Sequence, residues 1–136
     1  MTIKTQALFE DLADDLGAGT GNERFSRRFA RAVNRALDDL SLAADLATRH
    51  THITGNDSSI SSMDSEYEGM LYTGTKFHLV RMGQRPGDPR VAEAVFKDTN
   101  TQWEKALGEY VAAEDNKQQA NDSTSMWGLG YLGEDS

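Results

Sequence analysis

The chain contains no cysteine. That excludes a disulfide framework, a thiolate zinc site and a cysteine nucleophile together. No apolar run approaches the ~20 residues needed to cross a bilayer, and no basic-then-apolar stretch opens the chain, so neither a membrane span nor a secretory leader is expected. Positive charge is also scarce: 14 Lys and Arg stand against 22 Asp and Glu, a formal net charge of −8. Such a balance argues against binding nucleic acid by bulk phosphate neutralisation, though it is compatible with a local basic face. The expected setting is a reducing interior, or a particle assembled in one.

What is present is helical periodicity. With 136 residues, one domain with a modest core is expected. Leu8, Leu12 and Leu16 recur every four residues in a short first helix, which the glycine-rich Gly17-Ala-Gly19-Thr-Gly21 stops. Asn22 is a good N-cap for a long second helix over residues 23–49. Its expected buried stripe is Phe25, Phe29, Ala32 or Val33, Ala36, Leu40, Ala43 and Ala47, in steps of three and four. The period then changes. His50-Thr-His52-Ile53-Thr, a Gly55-Asn56-Asp57 turn and Ser58-Ser-Ile60-Ser-Ser-Met63 alternate loosely and predict a β-hairpin.

Ser65 and Glu68 fit a capping box for a third helix ending near Gly83, with Tyr67, Met70, Leu71, Gly74, Phe77 and His78 facing inward. Gly69 and Gly74 inside it each cost about 1 kcal/mol relative to Ala, which points to close packing there. Gln84-Arg-Pro-Gly is a turn, and Asp88-Pro89 places proline at the first position of a fourth helix. Ala92, Phe96, Thr99, Trp103, Ala106, Tyr110 and Ala113 alternate steps of four and three, the spacing of a helix–helix seam. The predicted fold is mainly α: a four-helix bundle-like domain (1–113) with a small β-hairpin insertion (about 50–63) and an extended C-terminal tail (114–136).

Several partial motifs fail on context. Gly17-x-Gly19-x-Gly21 follows no buried strand, so it cannot deliver a pyrophosphate to a helix N-terminus as a dinucleotide loop does. Gly69 to Lys76 resembles a phosphate loop but lies within a helical pattern. Asp57, Ser59, Ser61 and Glu68 have calcium-loop spacing, yet Ser62 stands where that loop needs glycine. His50 and His52 would share one strand face, but no third ligand is near in sequence; a solvated strand face is the plainer reading. Asp11, Asp14, Asp15, Asp38 and Asp39 follow helical surfaces. With no nucleophile elbow either, no enzyme, cofactor or metal site is expected.

Two features point to attachment. Arg24, Arg27, Arg28, Arg31 and Arg35 crowd the first half of the second helix, against the preference of the helix dipole for acids there. Arginine without lysine favours bidentate carboxylate or phosphate partners. The acidic first helix, an acidic face of a neighbouring subunit and nucleic-acid phosphate all fit. Second, a polar stretch from Glu114 to Ser125 is followed by Met126, Trp127, Leu129, Tyr131 and Leu132 with glycines between them. Apolar anchors on a polar leash read as a docking peptide that orders on a partner, or as a tail that folds back over its own core.

The run Tyr67-Glu-Gly-Met-Leu-Tyr-Thr-Gly-Thr-Lys-Phe-His-Leu, then Arg85-Pro-Gly-Asp-Pro, then Val95-Phe96 and Trp103-Glu-Lys-Ala-Leu107, resembles the head-to-tail connector (adaptor) proteins of tailed bacteriophages. The resemblance covers roughly residues 22–113 and leaves out the first helix and its glycine loop. It implies a structural virion protein, assembled in the host cytoplasm, that forms a homo-oligomeric ring, most often a dodecamer, between the portal protein and a tail or nozzle protein. DNA would pass through the lumen without specific binding. Carried over, Met126, Trp127, Leu129, Tyr131 and Leu132 dock onto the portal. Arg24, Arg27, Arg28, Arg31 and Arg35 meet the adjacent subunit, and His50, His52, Ile53, Asn56, Asp57 and Ile60 form a projecting hairpin. The alternative is a small helical DNA-associated packaging or regulatory module that uses the arginine face.

Overall fold

The computed structural model describes residues 3–19, 21–55, 58–83 and 89–128, with α4 beyond Lys117 described as backbone only. The fold is mainly α, with four helices and a two-stranded antiparallel pair: β1 (Ile3–Lys4), α1 (Thr5–Asp15), α2 (Glu23–Ala43), β2 (Ser59–Ile60), a 3-10 turn (Ser65–Tyr67), α3 (Glu68–Arg81) and α4 (Pro89–Gly128).

The helix ends follow local chemistry. Asn22 caps α2 by accepting a hydrogen bond from Phe25 N at 3.1 Å, which satisfies one of the orphan donors of the first turn. After α1, Gly17 takes φ +70°, and the Gly17 and Ala18 amides return to the carbonyls of Asp14 and Ala13. That is the left-handed C-terminal motif glycine favours. α2 ends by the same motif on a residue that is not glycine. Asp45 sits at φ +51°, and the Asp45 and Leu46 amides bond the carbonyls of Leu42 and Ser41. This turn stops α2 at Ala43, short of the residue 49 that periodicity predicts. Ala43 and Ala47 are accordingly exposed, while Leu37 and Ser41 join the buried face.

α3 packs along both α2 and α4 and is the central helix. Phe9 of α1 meets Phe25 and Phe29 of α2 at ring-centroid distances of 5.3 and 5.1 Å, and Leu12, Val33, Leu37 and Leu40 belong to the same buried core. Between α3 and α4 the middle of the expected seam is buried, at Thr99, Trp103, Ala106 and Tyr110, whereas Ala92, Phe96 and Ala113 are half-buried. Gly74 lies under Trp103, whereas Gly69 has open space around it; only the first glycine answers to close packing. Ser65 falls inside the 3-10 turn rather than at an N-cap, so the predicted capping box does not start α3.

The strand pair differs from the predicted local hairpin. β2 pairs with β1 at the start of the chain, in the register Ile3↔Ile60 and Lys4↔Ser59. Ile3 and Ile60 both enter the core. Thr5 extends the pairing: its amide and hydroxyl donate to Ser58 O, and its hydroxyl accepts from Ser58 N at 2.8 Å. A long-range partner with a buried isoleucine thus wins over the nearer polar residues 50–54. Those residues are tied instead to α2 by Asn34, which exchanges two hydrogen bonds with the Ile53 backbone at 2.7 and 3.0 Å.

The segment from Glu114, read as an extended tail, continues α4 as helix to Gly128. The sequence explains this. No proline or glycine occurs between Gly108 and Gly128, and Glu, Lys, Gln and Ala in the stretch are good helix formers. Lys117 and Glu114 pair at 3.3 Å along the helix. The 40-residue helix is about 60 Å long.

Candidate interaction surfaces and a polar cleft

At about 100° per residue, Arg24, Arg27, Arg28, Arg31 and Arg35 fall within an arc of roughly 100° on α2. Phe25, Phe29, Ala32, Val33 and Ala36 occupy the opposite side and are buried. Arg24, Arg27, Arg31 and Arg35 are exposed, and Arg28 is half-buried beside Gly83. Among the described residues the four exposed arginines make no ion pair. The acidic first helix therefore does not neutralise them. Its own Asp11, Asp14 and Asp15 are exposed and likewise outside any ion pair among the described residues.

The aspartates that follow the stripe have partners. Asp38 pairs with the exposed His52 at 2.8 Å. Asp39 accepts hydrogen bonds from His78 Nε2 at 2.7 Å and Trp103 Nε1 at 3.4 Å, so it locks α2 to both α3 and α4. Burial holds His78 below its ordinary pKa despite the Asp39 carboxylate, and Arg35 and Arg81 add to the lowering.

The residues expected to project as a hairpin mostly point inward. His50, Ile53 and Ile60 are buried, and His52 is exposed; Asn56 and Asp57 lie outside the described residues. The two histidines do not share a strand face. His50 is a junction: its amide donates to Ser41 Oγ at 3.0 Å, Nδ1 lies 3.0 Å from Ser62 Oγ, and Nε2 lies 2.8 Å from Tyr110 Oη. The Ser41 hydroxyl in turn donates to Leu37 O at 2.9 Å. Burial lowers the His50 pKa against the opposing pull of Glu114. Burial also raises Tyr110 to about 12, helped by Glu114 and Tyr67. Both shifts favour the uncharged forms at neutral pH.

A cleft of about 290 Å³ opens beside this junction, with Arg49, Ser62, Tyr67, Glu114 and Lys117 on its walls. Lys117 Nζ sits 4.8 Å from the Tyr67 ring centroid, and Tyr67 stacks edge-on against Tyr110 at 5.2 Å. Sequence reasoning missed this group. Tyr110 shows as a seam residue, but nothing in the spacing brings His50 and Ser62 to it. Among the described residues, no three His, Asp or Glu side chains converge as a metal site would need, and no helix is long and apolar enough to cross a membrane.

Of the docking-peptide residues, Met126 and Trp127 fall within α4, and Leu129, Tyr131 and Leu132 lie outside the described residues. Tyr110 is the last buried side chain described on that helix, and the backbone continues as helix for about 27 Å beyond it. Comparison of the chain with protein families, curated proteins and solved structures finds no match.

Proposed function

We propose that this chain is a non-enzymatic structural subunit of a tailed-phage particle, the head-to-tail adaptor. It repeats as a ring, most simply a dodecamer, between portal and tail proteins, and continues the DNA channel. The observation that carries this reading is the α2 stripe. Four exposed arginines opposite the core have no partner among the described residues of their own subunit, in a chain whose net charge is −8. A surface of that kind is complementary to an acidic protein neighbour. The length of α4 supports the same reading, because it places Met126 and Trp127 on a helix that continues for about 27 Å past Tyr110, the last buried side chain described on it. One modest apolar anchor per subunit, repeated around a ring, gives strong total attachment. The site of action is the head–tail interface of the virion, after assembly in the host cytoplasm.

Electron microscopy of the full chain mixed with portal rings tests this directly. The expected result is a second ring below the portal, lost when the chain is truncated after Asp115. Undiminished attachment of the truncated chain would remove the docking role of the α4 end. The same arginine stripe also supports a second reading, a DNA-associated packaging or regulatory module. That reading requires salt-dependent duplex binding without portal, abolished when Arg27, Arg28 and Arg31 become Ala.

A further inference from the structure

α1 and α2 carry opposite charge on faces that both turn away from the core. On α1, Glu10, Asp11, Asp14 and Asp15 are exposed and span an arc of roughly 140°, away from the buried Phe9, Leu12 and Leu16. Glu10 accepts a hydrogen bond from Gln6 at 3.2 Å. The three aspartates have no cationic partner among the described residues. On α2, Arg24, Arg27, Arg31 and Arg35 are in the same position with the opposite sign. The two helices are consecutive, and they are fixed to each other through the Phe9, Phe25 and Phe29 cluster. Among the described residues no ion pair joins the two charged faces within a subunit.

We infer that the occupant of the arginine stripe is a second copy of this chain, presenting the acidic face of its α1. This rests on the ring reading above and names the contact that would build the ring. The two patches are different surfaces, so the contact is heterologous. One subunit's arginines engage the next subunit's aspartates and leave that subunit's own arginines open for a third. Contacts of this type propagate and close into rings when the rotation permits. The inference also accounts for the placement of Arg24, Arg27 and Arg31 in the first half of α2, where they oppose the dipole and make no ion pair among the described residues of their own subunit. Exposed ion pairs are individually weak and screened by salt. Two free copies therefore associate loosely, and a template that gathers many copies gains from every contact at once.

The absence of cysteine makes site-specific capture straightforward. Full-length Asp14→Cys and Arg31→Cys proteins, mixed at low salt with a short bis-maleimide, should give a cross-linked dimer at several-fold the yield of either protein alone. The excess should disappear as salt rises. Adding Arg27→Glu to the Arg31→Cys protein should remove it, and then adding Asp11→Lys to the Asp14→Cys protein should restore it. All four positions are exposed, so the substitutions leave the core untouched. Equal yields in mixed and unmixed samples, or no response to Arg27→Glu, would overturn the inference. So would duplex DNA that binds the wild-type chain, competes the cross-link away and is itself lost with Arg27→Glu; the occupant would then be nucleic acid. Rings on the portal without the mixed cross-link sink this contact alone. The cross-link without portal attachment keeps the contact and sinks the adaptor reading.

Discussion

The ring of Trp103 lies so close over Gly74 that a Cβ built on the glycine would stand 2.5 Å from its Cη2 and 2.6 Å from its Cζ3. Trp103 has little freedom to retreat, because it is buried and its Nε1 is directed at Asp39. Gly74→Ala gains about 1 kcal/mol of helix propensity, but overpacking of this kind costs about 1–3 kcal/mol. The variant should be less stable, by up to about 2 kcal/mol on balance. A urea unfolding midpoint at or above that of the wild type would show that the α3–α4 seam is looser than described.

Stability should fall as the solution is acidified through the histidine range. Burial holds both His50 and His78 below their ordinary pKa, against Glu114 in one case and Asp39 in the other. In the unfolded chain both titrate near about 6.5. Between that value and the lower folded values, the unfolded chain binds protons that the folded chain does not, so the unfolding free energy decreases with falling pH. Above about pH 7.5 both are neutral in either state, and the dependence on them vanishes. The midpoint of urea unfolding should drop between about pH 7 and pH 5, and a His50→Gln/His78→Gln double variant should show a smaller drop. A wild-type midpoint constant over that range contradicts the assignment.

Asp45→Gly should stabilise the protein. Asp45 closes α2 at φ +51°, a conformation that costs an L-residue energy and glycine almost none. Glycine's greater freedom in the unfolded chain offsets part of the gain, leaving about 0.5–1 kcal/mol. Calorimetry should register a higher Tm; a lower one would mean that the Asp45 side chain makes a compensating contact.

Asn34 should be the anchor of the segment between α2 and β2. Its amide satisfies both the N–H and the C=O of Ile53, and Ile53 is buried. Asn34→Ala leaves both backbone groups to find other partners, at about 1–3 kcal/mol. Hydrogen exchange should report faster exchange at Ile53 with little change at Leu37 and Leu40. Unchanged exchange at Ile53 would place the anchor elsewhere, with the His50 contacts to Ser41 and Tyr110 the next to test.

α1, α2 and α4 were legible because each buries a stripe with its own period, whereas α3 buries Thr75, Leu79 and Val80 in place of the expected Met70, Phe77 and His78. Leu8 and Leu12, Phe25 to Leu40, and Thr99 to Tyr110 all lie where their spacing puts them. The arginine face was legible for the same reason, since a charged stripe obeys the same geometry as an apolar one. The strand pairing was not. Ile3 and Ile60 are far apart in the chain, two-residue strands carry no period, and the nearer alternation at residues 50–54 offered a plausible but weaker partner. The early stop of α2 was hidden because Asp45 performs a turn usually marked by glycine. The helical extension past Glu114 was obscured by polarity, which suggests an extended tail although nothing in it breaks a helix.

By itself the sequence determined that this is a cysteine-free, acidic, mainly helical chain with one basic stripe, because composition and periodicity are local properties of the chain. Only the tertiary structure decided which charges remain open. It took Asp38 and Asp39 out of the acidic surface by placing them against His52, His78 and Trp103, buried His50 between Ser62 and Tyr110, and left the α1 aspartates and α2 arginines facing outward. Pairing of charges depends on which faces the core turns together, and that is settled by packing between elements, which no local pattern encodes.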